Sequence, residues 1–332
     1  MKKQIFVICF LLVAGQIIHA QQSDFSKLTG AYLGQKPPGM TPEIFAPGFV
    51  STGLSELNSV FSPDGSEFYF CVRNLYAEAV FCVKNINGEW TKPERLPFAD
   101  QFGEIDVSLS PNGMRMFFCS KKSVPGDNKP KNDHDIWMSE KTDGMWTSPV
   151  HLGNAVNSDR EDFYPVSAKN GNLYFNSQRE GEGTNNIYVS RYVEGKYIQA
   201  EKLGIEINSE YREFDPYIAP DESFIIFSSN RPDGFGGGDL YISYKKEDGT
   251  WTTAQNMGEP INSAGPEFCP MLSPGSKYLF FTSGGLTNPP LPKAVWNYED
   301  FFEAHNSPAN NSTDIYWVDA KIIIDLKHEI FL

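Results

Sequence analysis

The chain has 332 residues, with 42 acidic against 28 basic side chains and a net charge of −14. That excess of negative charge repels polyphosphates and anionic bilayers, and so sets aside nucleic acid and acidic membrane surfaces as partners. The cysteines form no CxxC pair and no Cys/His spacing of metal-ligand type, so neither a zinc site nor a dithiol redox motif is expected.

Residues 1–20 read as a secretory signal peptide. Lys2 and Lys3 are followed by the apolar run Ile5 to Val13, and Ala20 stands at a cleavage point. No cysteine follows that run to carry a lipid, and no later stretch has the apolar length of a membrane span. The mature chain is therefore expected to be exported, to the periplasm, the outer surface or the medium. Residues 21–40 read as a linker, 41–319 as one repeat domain and 320–332 as a tail with helical patterning.

A phrase recurs five times in the repeat domain. It reads Glu56…Ser62-Pro63-Asp64-Gly65…Phe68-Tyr69-Phe70, then Glu104…Ser110-Pro111-Asn112-Gly113…Met116-Phe117-Phe118, then Asp162…Asn170-Gly171…Leu173-Tyr174-Phe175. Two more copies follow, Glu213…Ala219-Pro220-Asp221…Ile225-Ile226-Phe227 and Glu267…Ser273-Pro274-Gly275…Leu279-Phe280-Phe281. The closing Phe residues lie 48, 57, 52 and 54 positions apart, a period that marks a repeat architecture.

Within each copy, apolar runs flank a turn rich in Pro, Asp, Asn and Gly, which is a hairpin signal. A third run follows, as in Asp135-Ile136-Trp137, Asn186-Ile187-Tyr188, Asp239-Leu240-Tyr241 and Asp314-Ile315-Tyr316. A Gly-x-aromatic turn then leads into a fourth strand ending near Leu152-Gly153, Leu203-Gly204 and Met257-Gly258. Four short strands per repeat make a propeller blade, so the fold expected is an all-β, five-bladed β-propeller. Six blades is the second choice, because residues 285–313 have room for another pair of strands. The fifth copy stops after its third strand, while Glu43-Ile44 and Phe49-Val50-Ser51 match the fourth-strand region of the other copies. An N-terminal strand should therefore close the ring and remove a bare sheet edge.

The Ser-Pro-Asp-Gly turn, the strand ending Phe227-Ser228-Ser229-Asn230-Arg231 and the Gly-Gly-Asp-Leu-Tyr that follows resemble the WD40-like β-propeller repeat of the TolB-like type. The resemblance covers residues 41–319. It implies a propeller and leaves function open, since propellers host unrelated activities.

Because blade strands alternate in direction, the acids that open each first strand, Glu56, Glu104, Asp162, Glu213 and Glu267, share a face with the loops after each second strand. Those loops vary from Arg73–Glu78 to Gly284–Thr313, and variable loops on a rigid scaffold carry binding. The acids suit either a cation or amine site at the channel mouth, or a structural role capping amides and pairing with Arg179, Arg231 or Lys122. The glycine-rich run 232–239 reads as a tight hairpin rather than a calcium loop. The long fifth loop holds Trp296, Tyr298 and His305, which suit a sugar-stacking or protein-contact platform. Cys71, Cys82, Cys119 and Cys269 suit packing, with a Cys71–Cys82 cross-strand bond as a further option. No nucleophile elbow and no metal-spaced histidines occur, so neither a catalytic set nor a cofactor is expected. The function expected is an exported, non-catalytic propeller binding protein or glycan through its long-loop face. The alternative is a polysaccharide-active enzyme using the channel-mouth acids.

Overall fold

Each Pro/Asp/Gly turn closes its hairpin by local hydrogen bonding. Ser62 Oγ accepts the Glu67 amide at 2.8 Å and Asp64 Oδ1 accepts the Ser66 amide at 3.0 Å. Gly65 takes φ 72°, the left-handed conformation that favours glycine. The computed structural model describes residues 28–124, 126, 131–286 and 297–331. The signal-peptide segment and Trp296 lie outside the described residues.

The hairpins assemble into five antiparallel sheets. Blade 1 contains Ser55–Phe61, Glu67–Arg73 and Glu78–Ile86; blade 2, Ile105–Leu109, Arg115–Ser120 and Asp135–Thr142. Blade 3 contains Asp162–Ser167, Leu173–Ser177 and Asn186–Ser190; blade 4, Glu213–Ile218, Phe224–Ser229 and Asp239–Tyr244. Blade 5 contains Glu267–Leu272, Tyr278–Ser283 and Asp314–Asp319. The innermost strands touch in the cycle 1-2-3-4-5-1, so the ring is closed and the protein is a five-bladed β-propeller. The six-bladed option fails where it can be checked: residues Tyr298–His305 form a helix, α1.

The fourth strand is shorter than expected. In blade 1 Glu89–Trp90 and Glu94–Arg95 both pair with the long third strand, so the outer edge is two short pieces. In the last blade Glu43 pairs with Trp317 and Ile44 with Tyr316, which supplies the missing strand from the N-terminal segment. Aromatic packing fixes this closure. The buried Phe45 ring lies 5.0 Å from Phe280, 5.1 Å from Phe68 and 5.2 Å from Trp317, joining blades 5 and 1. Burying one such ring contributes about 2–3 kcal/mol.

A polar ladder reinforces the blade seams. Asn157, Asn208 and Asn262, each in the linker between two blades, bond both the amide and the carbonyl of Ile136, Ile187 and Leu240 in the preceding third strand. At the closure Ser51 takes that place, with its hydroxyl bonded to the Ile315 amide at 3.2 Å. The tail forms a helix, α2 (Lys321–Phe331), that buries Ile322 and Ile323. No helix among the described residues is long and apolar enough to cross a membrane.

Cys71, Cys82, Cys119 and Cys269 are buried and free. Cys71 stands opposite Val80, and Cys82 opposite Tyr69, so the cross-strand bond is not formed.

Candidate functional site

The start of each first strand does lie with the long loops. The Glu56, Asp162, Glu213 and Glu267 amides donate to the carbonyls of Thr313, His134, Asn185 and Gly238, each at the end of the preceding blade's loop. The five acids therefore ring one mouth of the channel, and all five are buried.

Each rim acid accepts the amide of the residue four positions earlier. Glu56 takes Thr52 N at 3.0 Å, Glu104 takes Asp100 N at 3.1 Å, and Asp162 takes Ser158 N at 2.6 Å. Glu213 takes Ser209 N at 3.1 Å and Glu267 takes Ser263 N at 2.9 Å. In four blades the Thr or Ser hydroxyl of that earlier residue donates as well. Burial still pushes the Glu56 carboxyl up to about 7, and those of Asp162 and Glu267 above their ordinary range.

Arg179 and Arg231 are built into the same seams. Arg179 reaches Asp162 at 3.1 Å and the Val156 carbonyl at 2.6 Å; Arg231 reaches Glu213 at 3.3 Å and the Ile207 carbonyl at 2.6 Å. Each guanidinium lies over a third-strand tyrosine, Tyr188 at 4.5 Å and Tyr241 at 4.9 Å. Lys122 departs from its expected partner: it pairs with Asp100 at 2.8 Å, and Glu104 is held by Arg95 at 2.9 Å. In the glycine-rich loop, Asp239 accepts the Phe235 and Gly236 amides, and a Cβ on Gly236 would collide with the Gly265 carbonyl. Close approach of two backbones explains that glycine.

A second ring lies two residues further along each first strand, and the sequence reading did not single it out. Asn58, Asp106, Tyr164, Asp215 and Cys269 all take left-handed φ values, between 50° and 56°. Every one sits where the pairing of first and second strands skips a residue, which is a β-bulge. All five are buried. The position before the second-strand end, where Cys71 and Cys119 align with Asn176, Ser228 and Thr282, serves the next blade's bulge. Thr282 Oγ1 accepts Asn58 N at 3.2 Å and Asn176 Oδ1 accepts Asp215 N at 3.0 Å. Tyr164 crosses the channel to the Pro270 carbonyl at 2.9 Å, giving it a floor. Polar residues recurring in register on strands buried on both faces were the signal available.

Above this ring runs a chain of charges: Arg73 Nε–Glu78 at 2.8 Å, Glu78–His134 Nε2 at 3.1 Å and His134 Nδ1–Glu161 at 2.8 Å. The two carboxylates raise the His134 imidazole above its ordinary range, against its burial.

The outer rim of this face carries exposed aromatic side chains among its charged ones. Tyr76, Tyr211, Phe235, Tyr298, Phe301 and Phe302 are the exposed Phe and Tyr side chains among the described residues, and all six lie in its loops. Tyr76 is 94% exposed and Tyr298 78%. Helix α1 carries three of them, with an Asn297–Asp300 capping box. His305, exposed in its last turn, has no hydrogen bond or ion pair to the rim acids among the described residues; its carbonyl accepts from Asn310. Between blades 3 and 4 an open groove of 940 Å³ is lined by Leu203, Ile205, Tyr211, Arg231, Pro232 and Asp233.

The fold is a closed five-bladed β-propeller, and its repeats resemble those of the TolB-like type. No known family model and no curated protein sequence matches this chain. Among solved structures it is similar to a protein assigned as TolB from Agrobacterium tumefaciens, at 15% identity and a TM-score of 0.49, over 80% of this chain and 90% of that one. It is also similar to TolB from Acinetobacter baumannii, at 14% identity and a TM-score of 0.46, over 80% of this chain and 57% of that one. An endo-arabinase from Bacteroides thetaiotaomicron shows 15% identity and a TM-score of 0.45, over 76% and 94%.

Proposed function

We propose that this chain is an exported, non-catalytic propeller that captures a protein partner on its long-loop face. The supporting observation is the placement of all six exposed aromatic side chains among the described residues on that face, spread over the loops of blades 1, 4 and 5 and the linker into blade 4. Exposed Tyr and Phe on rigid supports are typical anchors of protein interfaces, because they bury much area while losing few rotamers. Their spread around a rim suits a protein surface better than a single sugar ring. The groove beside Tyr211 is the feature that favours a glycan as a second reading. The polysaccharide-active alternative draws on the rim acids, and each of those is occupied by amides, hydroxyls or guanidinium groups of the seams.

The test is capture of partners from the extracellular fraction of the source cells by the purified mature chain. Tyr298→Ser with Phe301→Ser should weaken capture at least tenfold at unchanged thermal stability, since both side chains are solvent-exposed. Equal capture by wild type and variant, or turnover of a polysaccharide panel at a rate that falls with Glu213→Gln, would overturn the reading.

A further inference from the structure

The channel ring combines features that architecture alone does not explain. A left-handed position in a bulge suits glycine, and a larger side chain there costs on the order of 1 kcal/mol. None of the five blades uses glycine. Asp106, 6% exposed, has neither an ion pair nor a hydrogen-bond donor to its carboxylate among the described residues. Asp215, 9% exposed, receives only neutral donors, the Cys269 amide at 3.3 Å and thiol at 3.4 Å, both on Oδ2. Asn58, 1% exposed, accepts only the Cys71 thiol at 3.5 Å on Oδ1. Its Nδ2 has no partner in bonding geometry, although it lies near enough to the Tyr164 hydroxyl to act on it.

The nearby positive groups are committed elsewhere. Arg73 and His134 both bond to Glu78, and Arg212 acts on Asp215 from the exposed rim. Burial raises both carboxyls above their ordinary range, with Asp215 raising Asp106 further, and Arg73, His134 and Arg212 offset only part of that cost; the fold keeps both groups nonetheless. The Asp106 carboxylate, Asp215 Oδ1 and the second lone pair of Asn58 Oδ1, whose other contact is the long thiol bond, offer three acceptor positions for the three N–H donors of an alkylammonium group. No group of three or more His, Cys, Asp or Glu suited to a metal ion occurs among the described residues.

We infer that Asp106, Asp215 and Asn58 form a binding site for a primary ammonium group, entered from the long-loop face and floored by Tyr164. The ammonium belongs either to a small amine or to a lysine side chain of the partner. The inference shares that face with the proposed function but uses none of its aromatic loops.

Calorimetric titration of the full mature chain with n-butylammonium and with Nα-acetyl-lysine amide tests it. Both probes should bind, and Asp106→Asn and Asp215→Asn should each weaken binding at least tenfold while raising the thermal midpoint, because each relieves the cost of burying two neighbouring carboxyls. Tetramethylammonium, equally charged but without N–H donors, should not compete. Stronger binding of the lysine probe assigns the group to a protein ligand; binding of n-butylammonium alone assigns it to a small amine. No binding of either probe, retained binding in both Asp variants, or tighter binding of calcium or magnesium overturns the site. Tyr298→Ser with Phe301→Ser should leave the titration unchanged, so failure of the aromatic face and failure of the channel are read separately.

Discussion

Two rings of side chains lie two residues apart on the same five strands, and they treat charge in opposite ways. At the rim, every acid is met by the amide four residues earlier, usually by a hydroxyl, and in blades 2, 3 and 4 by an arginine. In the channel, Asp106 meets none of these and Asp215 only neutral donors. The rim repeats one bonding pattern whatever loop stands beside it, as a structural device must. The channel ring keeps one backbone conformation but varies its side chain through Asn, Asp, Tyr, Asp and Cys. A position with constant geometry and varied chemistry is where a repeat fold has room to become specific.

Removing a rim acid should have the largest effect. Glu213→Ala removes the carboxylate that pairs with Arg231 and that accepts the Ser209 amide and the Ser229 hydroxyl. Loss of one partner of a buried pair costs about 3–5 kcal/mol, readable by chemical denaturation. A cost under about 1 kcal/mol would mean that the rim is not structural.

The pH dependence comes next. Burial raises the Glu56 carboxyl to about 7 and that of Asp314 to about 6. A carboxyl raised by folding binds its proton more tightly in the native state, so stability falls as pH rises from the unfolded to the folded value. His134 is raised by its carboxylate partners, and its contribution is likewise lost as pH rises through its folded value. Glu78 and Glu161 are lowered and act oppositely, but they lose stability only below the ordinary carboxylate range. The thermal midpoint should therefore drop between pH 5 and pH 7.5, with Glu56 alone contributing on the order of 3 kcal/mol. Glu56→Gln should flatten the slope, and a midpoint that climbs across this range would contradict the assignment.

The smallest effect is expected in the channel. Asn58→Gly relieves a left-handed side chain and removes an amide nitrogen that lacks a partner, at the cost of a weak thiol contact. Denaturation should place it within about 1 kcal/mol of the parent. A loss comparable to that of Glu213→Ala would make the two rings equivalent and remove the contrast.

The sequence by itself determined the repeat, the blade and its closure. Hairpin turns, strand patterning and the stranded fourth-strand segment near Glu43-Ile44 are local or periodic features, and each forces its partner wherever the ring closes. It also placed the rim acids and the aromatic fifth loop on one face, because strand direction alternates in an antiparallel blade, but it did not single out Tyr76, Tyr211 or Phe235. Only the tertiary structure decided which acids are spent. Whether a carboxylate meets an amide, a guanidinium or nothing depends on a bulge that shifts the strand by one residue, and that bulge is held by a side chain of the neighbouring blade, such as Thr282 on the Asn58 amide or Asn176 on the Asp215 amide. Those partners lie 224 and 39 residues away along the chain, and no pattern within a single repeat brings them together.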